Sequence, residues 1–175
     1  MKRLGIVLFL SLGWLSYGQT SKPPATLKGI LLEQLRSTHN QADWFVPVNT
    51  ALKGVTAEQA NWKDRSGNHS IKELADHLIF WDGRYLQKFK GVETAKFSGN
   101  NEETFRGSES WDATARKLDS VLTDWEKAVE AADDNKLSKW CSTIAHVGTH
   151  NAYHTGEIIY IRRQQGSWNP ENGVH

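Results

Sequence analysis

Apolar residues in this chain recur at intervals of three and four, and that period decides most of what it can fold into. Leu27, Ile30, Leu31 and Leu35 share one helical face, and Leu74, Leu78, Trp81 and Tyr85 share a second. Trp111, Ala115, Leu118, Leu122, Trp125 and Val129 mark a third, and Ile144, Val147, Ala152, Ile158 and Ile161 a fourth. Such spacing lines one side of a 3.6-residue helix, whereas a strand needs alternation, which no segment sustains. Four amphipathic helices without a sheet predict an all-α four-helix bundle, for which an up-down-down-up arrangement is one option.

Helix start and stop signals set the expected boundaries. The first helix starts near Ala25 and fades near Pro47, and Thr56-Ala-Glu-Gln59 offers a short helical turn before Trp62. Ser70-Ile-Lys-Glu73 is a capping box that opens the second helix, which runs to about Phe89. Gly91 to Gly107 reads as a long polar loop, either a lid over a site or a disordered surface segment. The third helix begins near Ser110, and Asp133-Asp134-Asn135 ends it. The fourth spans about residues 138–165 and stops at Gly166, with Pro170 beyond.

The N-terminus predicts export. Lys2-Arg3 precedes an apolar run from Leu4 to Leu15, and Ser16 and Gly18 are small residues at the −3 and −1 positions of a cleavage site after Gly18. That is the layout of a secretory signal peptide, and the run is short of the ~20 residues of a membrane span. The expected organisation is a signal peptide over 1–18, a linker over 19–24 and one bundle domain over 25–175. Such a protein is periplasmic or secreted, with no stable membrane anchor after cleavage. Loss of Lys2 and Arg3 takes the formal charge from +1 to −1, which argues against nucleic acid as a partner. With Cys141 as the single cysteine, no intramolecular disulfide can form, so packing must carry stability.

The chemistry concentrates in His146-Val-Gly-Thr-His150-Asn-Ala-Tyr-His154. A four-residue step turns a helix by roughly 40°, so all three imidazoles lie on one stripe. Neutral imidazole is the commonest metal ligand, and His77, set among the apolar residues of the second helix, could complete a three-histidine site. Three histidines with an open fourth position form the ligand set of a catalytic zinc-type site, and nickel or iron suits the same donors. Glu157 falls within about 20° of His150 on the same face. It is read as a carboxylate that orients a ligand, as a general base, or as a partner for a neighbouring helix or for Arg84. His146 is read as lining the cavity and assisting proton transfer rather than ligating. Cys141 faces away, while His39, His69 and His175 are expected at the surface.

Taken together, Ser70-Ile-Lys-Glu-Leu-Ala-Asp-His77-Leu and His146-Val-Gly-Thr-His150-Asn-Ala-Tyr-His154-Thr-Gly156-Glu157-Ile resemble the DinB-like family, which includes YfiT-like metal-dependent hydrolases. Thr56-Ala-Glu-Gln-Ala-Asn-Trp62 resembles that family's link between its first two helices, and the likeness covers about residues 25–168. The resemblance implies a four-helix bundle, a divalent metal on His77, His150 and His154, with zinc or nickel favoured, and often a homodimer. Relatives include thiol-dependent transferases and isomerases, whose cytosolic cosubstrates an exported protein would not meet. The leading expectation is therefore hydrolysis of a small-molecule substrate. Thiol transfer and a non-enzymatic metal- or ligand-binding bundle are the alternatives.

Overall fold

The structure is a computed structural model that describes residues 25–65 and 67–173. The expected signal peptide, the linker up to Pro24, and His175 lie outside the described residues. The described residues form six α-helices: α1 (Leu27–His39), α2 (Val48–Leu52), α3 (Ala57–Asn61), α4 (Ile71–Phe89), α5 (Trp111–Ala131) and α6 (Asp134–Gln164). Two 3-10 turns, Asn101–Phe105 and Pro170–Asn172, complete the order, with no strand among the described residues. No helix there is long and apolar enough to cross a membrane.

The four long helices pack as a ring, α1 against α5 and α6, and α4 against α5 and α6. Side-chain contacts give their directions. Thr114 near the start of α5 bonds Asp76 near the start of α4, and Lys90 just past α4 reaches Asp124 towards the end of α5, so these two run parallel. Phe89 at the end of α4 meets Trp140 near the start of α6, so those two run antiparallel. Lys28 of α1 bonds the Glu130 carbonyl at the far end of α5, which makes α1 antiparallel to α5. The result is up, down, down, up. Parallel neighbours cannot be joined by a tight turn, which explains the long connection between α4 and α5.

Two apolar clusters fill the ring. One holds Leu74, Leu78, Leu118, Leu122 and Ile158; the other holds Leu35, Leu86, Phe89, Trp125, Ile144 and Val147. Between them runs a polar seam: Asp82 separates Leu78 from Leu86 on α4, and Asn151 and His154 separate Val147 from Ile158 on α6.

Several expectations need correction. The first helix stops at His39, and α2 is a separate element that starts directly after Pro47. Leu27 and Ile30 are exposed, and α1 buries Leu31, Leu32 and Leu35 instead. Asp133 does not merely close the third helix. Its side chain accepts the Lys136 N–H and caps α6, which therefore begins at Asp134 rather than 138. His39 is 1% exposed rather than at the surface, its Nδ1 2.6 Å from Glu126 Oε1 and its Nε2 2.9 Å from Asp119 Oδ1. The carboxylates of α5 and the amides of Asn40 and Asn49 make that burial tolerable, because each ring nitrogen has both an acceptor and a donor within reach. His69 is half-buried, stacked on Phe105 with ring centroids 3.7 Å apart.

The 91–107 stretch is neither a free lid nor a wholly exposed loop. Its 3-10 turn buries Thr104 and Phe105 against α4. Farther along, Asp76 Oδ2 accepts the Gly107 N–H at 3.1 Å and the Lys72 ammonium at 2.7 Å, while Lys72 also bonds the Gly107 carbonyl. A Cβ at position 107 would collide with the Asp76 carboxylate, so this close approach requires glycine.

Candidate metal centre

The capping box predicted at Ser70 is present. Ser70 Oγ accepts the Glu73 N–H and the Glu73 carboxylate accepts the Ser70 N–H, which sets the register of α4. Two turns on, His77 points into the bundle and is buried. From α6, His150 places Nε2 3.2 Å from His77 Nε2 and 3.1 Å from His154 Nε2. These three residues form a group that could hold one metal ion. Two ligands each ~2.1 Å from an ion stand ~3.4 Å apart at a tetrahedral angle and ~3.0 Å apart at a right angle, so the observed spacing suits one cation.

Hydrogen bonding on the far side of the rings explains why the nitrogens face inward as acceptors. The Thr104 hydroxyl donates to the Asn101 carbonyl at 2.6 Å, so its oxygen accepts from His77 Nδ1–H at 2.5 Å. His154 Nδ1 is 2.6 Å from Glu157 Oε2, and a carboxylate accepts, so here too Nδ1 carries the proton. Both Nε2 atoms are then lone-pair donors aimed at the same point, with His150 Nε2 within 3.2 Å of each. A single ring proton on His150 cannot satisfy two such acceptors. A cation satisfies all three nitrogens, and the donor set therefore fits a divalent metal.

Electrostatics agree with the geometry. Burial, followed by the nearby imidazoles of His154, His150 and His69, pushes the His77 pKa down to about 3. Burial and His154 push His150 down to about 4. Both rings are neutral near pH 7, the form that ligates. Phe105 stacks on His77 with centroids 4.0 Å apart and planes 9° from parallel, an apolar wall behind the ligand nitrogen.

A cleft of about 660 Å³ opens onto this cluster. His77 and His150 line it, with Trp81, Tyr85, Val147 and Tyr153 among its walls. His146 is exposed on the same cleft and stands outside the three-histidine group. Glu157 lines a second hollow, shared with His69 and Tyr160, and reaches the cluster through His154. Arg84 is not its partner; that guanidinium donates to the Ala95 carbonyl. Cys141 lies outside the group, as expected.

The residues that sequence reasoning missed are Thr104 and Phe105, which back His77, and two polar residues of the seam. Asp82 also lines the cleft, and Asn151 is fully buried next to His150. The Asn151 amide neighbours the Asp82 carboxyl across the seam, although Asp82 Oδ2 and both polar atoms of the amide fall outside close hydrogen-bond geometry. Asn151 is near enough to favour the Asp82 carboxylate, but burial dominates and pushes that carboxyl well above its ordinary range.

Glu157→Ala is expected to weaken metal affinity ~10–100-fold, because the His154 ring loses the acceptor that fixes its orientation and tautomer. Chelator competition measures this, and an unchanged affinity would reduce Glu157 to a surface carboxylate.

The family profile of the DinB superfamily matches residues 48–158. No match was found among curated proteins or among solved structures. The matched stretch runs from α2 into α6 and takes in all three clustered histidines; the chain belongs to the DinB superfamily.

Proposed function

We propose that this protein is a metal-dependent hydrolase of a small molecule, with His77, His150 and His154 as ligands. The observation that carries this reading is that two of the three histidines line the wall of an open cleft, so a substrate entering there reaches the cluster directly. A divalent cation supplies Lewis acidity to water and to a carbonyl-type electrophile. The chain's own groups do the rest. Glu157 holds the Nδ1 proton of His154 and keeps that ring's Nε2 a donor of electrons. Thr104 does the same for His77. In this reading His146, which is exposed and lines the cleft, is the group that assists proton transfer. Trp81, Tyr85 and Tyr153 offer apolar area to a substrate body.

The test is a panel of esters, lactones and amides presented to zinc- and nickel-loaded protein, with and without a low-molecular-weight thiol. Hydrolysis that needs no thiol, stops on chelation and returns with metal is the expected result. Turnover that requires the thiol, with the thiol incorporated into product, overturns the proposal in favour of transfer. Tight metal binding with no turnover of any class overturns it in favour of a binding protein.

A further inference from the structure

The connection between α4 and α5 does more than support His77. The Arg84 guanidinium donates to the Ala95 carbonyl and ties the chain to α4. Two residues on, Phe97 is half-buried. Its ring centroid stands 5.6 Å from that of Trp81 and 5.0 Å from that of Phe80, with planes 87° and 65° apart. Phe80 and Trp81 themselves meet at 5.1 Å and 87°, so the three rings form one edge-to-face cluster. A Cβ at position 99 would come 2.8 Å from the Phe97 ring, so the backbone folds closely over that ring and needs glycine to do so. Asn101, in the same segment, lines the cleft together with Trp81.

We propose that Phe97 is a positioning residue that fixes the Trp81 indole as the wall of the cleft on which a planar aromatic substrate stacks. The inference rests on the reading of the cleft as a substrate site, and it names the class of substrate. Trp81 is half-buried on the cleft, a setting in which a tryptophan has more than one staggered rotamer open to it. Phe80 does not hold it alone, because it neighbours Trp81 on the same helix and projects about 100° away. Phe97 braces the indole from outside the helix. Tyr85, one turn on, lies with its plane 30° from the indole, so a flat molecule against Trp81 runs close to parallel with both rings. Lys88 Nζ, 5.1 Å from the Tyr85 centroid, already takes one face of that ring, which leaves the larger share of stacking to Trp81. Tyr153 lines the same cleft from α6. Stacking favours an aromatic ring over a saturated one of the same size, which gains from buried area alone.

The probes are 2-naphthol and trans-2-decalol, alike in size and in their hydroxyl group, one aromatic and the other saturated. Each is titrated calorimetrically into full-length protein after chelation, so that neither metal nor turnover enters the readout. Naphthol is expected to bind about three- to tenfold more tightly, and equal binding overturns the proposal. Phe97→Ala should bring the affinity ratio to within about twofold of one. Its metal affinity, by chelator competition, should stay unchanged, because the ring partners of Phe97 are Phe80 and Trp81. Phe97→Tyr keeps the ring and should keep the ratio. Phe97→Leu fills most of the space without a ring edge and should lose it, which keeps the test available if the alanine variant does not fold. Trp81→Leu should lose it as well, and adding Phe97→Ala to Trp81→Leu should change nothing more, since both act through one indole. A lower urea midpoint with an unchanged ratio in Phe97→Ala or Phe97→Leu makes Phe97 a packing residue and overturns the proposal. A further loss in the double variant overturns it too, by showing a route that bypasses Trp81. Selective naphthol binding without turnover in the ester panel supports this inference and overturns only the proposed hydrolysis. Turnover alongside equal binding of the two probes does the reverse.

Discussion

His77→Ala and His154→Ala are each expected to take the purified protein from one bound equivalent of metal to none after dialysis against a weak chelator. Structural zinc sites with four ligands gain roughly 10–16 kcal/mol, so one ligand accounts for ~3–4 kcal/mol, or about 10²–10³-fold in affinity. The two variants probe different elements, since His77 sits on α4 and His154 on α6. An ion bridging two helices needs both. Retention of one equivalent by either variant, measured by elemental analysis on protein whose far-UV circular dichroism is unchanged, would sink the three-ligand assignment. His146→Ala serves as the contrast, because His146 lies outside the group and its loss should leave stoichiometry intact.

The second large effect is acid sensitivity of the metal-free protein. His77 and His150 have folded-state pKa values of about 3 and about 4, depressed by burial and by their neighbouring imidazoles. In the unfolded chain both titrate near ~6.5. Between those values the unfolded state binds more protons than the folded state, so stability rises with pH across the window. The contribution is fully present above pH ~6.5 and is lost as pH falls towards the folded values, with a limiting slope of ~1.4 kcal/mol per pH unit for each histidine. Urea unfolding of chelated protein from pH 7 to 4.5 measures it, with His77→Ala/His150→Ala as the reference for all other acidic groups. A difference between the two proteins that does not change with pH would show that the cluster carries no such strain. Saturating zinc should raise the whole curve and carry its slope to lower pH, because an ion on the folded histidines keeps them neutral while the unfolded chain still takes up protons.

Much of the fold was legible because periodicity and capping are local. The stripe from Trp111 to Val129, the box at Ser70 and the stop at Gly166 each depend on residues within a few turns. The histidine spacing is legible for the same reason: one turn of helix places His150 beside His154 whatever surrounds them. What was not legible depends on residues distant in the chain. His39 looked polar and therefore exposed, and only the carboxylates of Asp119 and Glu126, about eighty residues later, make its burial possible. Thr104 and Phe105 sit in a stretch with no helical period, and nothing local announces that one holds His77 and the other stacks on it. Asp133 was ambiguous in a different way, since an acidic residue after one helix is equally the cap of the next. Asp82 falls within the stripe from Leu74 to Tyr85 and passes for a surface position until the seam between the two apolar clusters is seen.

The parallel course of α4 and α5 has a consequence for how such a site can arise. A 21-residue helix such as α5 is about 30 Å long, and an extended chain covers that in roughly nine residues. The connection from Lys90 to Ser110 contains more than twice that number, so it has slack beyond what the return journey requires. Part of that slack is wound into the 3-10 turn that delivers Thr104 and Phe105 to His77. In a bundle of tight antiparallel hairpins there would be no spare length at this position to do so. Topology thus leaves a reserve of chain beside the histidines, and shortening it should erode the support of His77 well before it disturbs the helices.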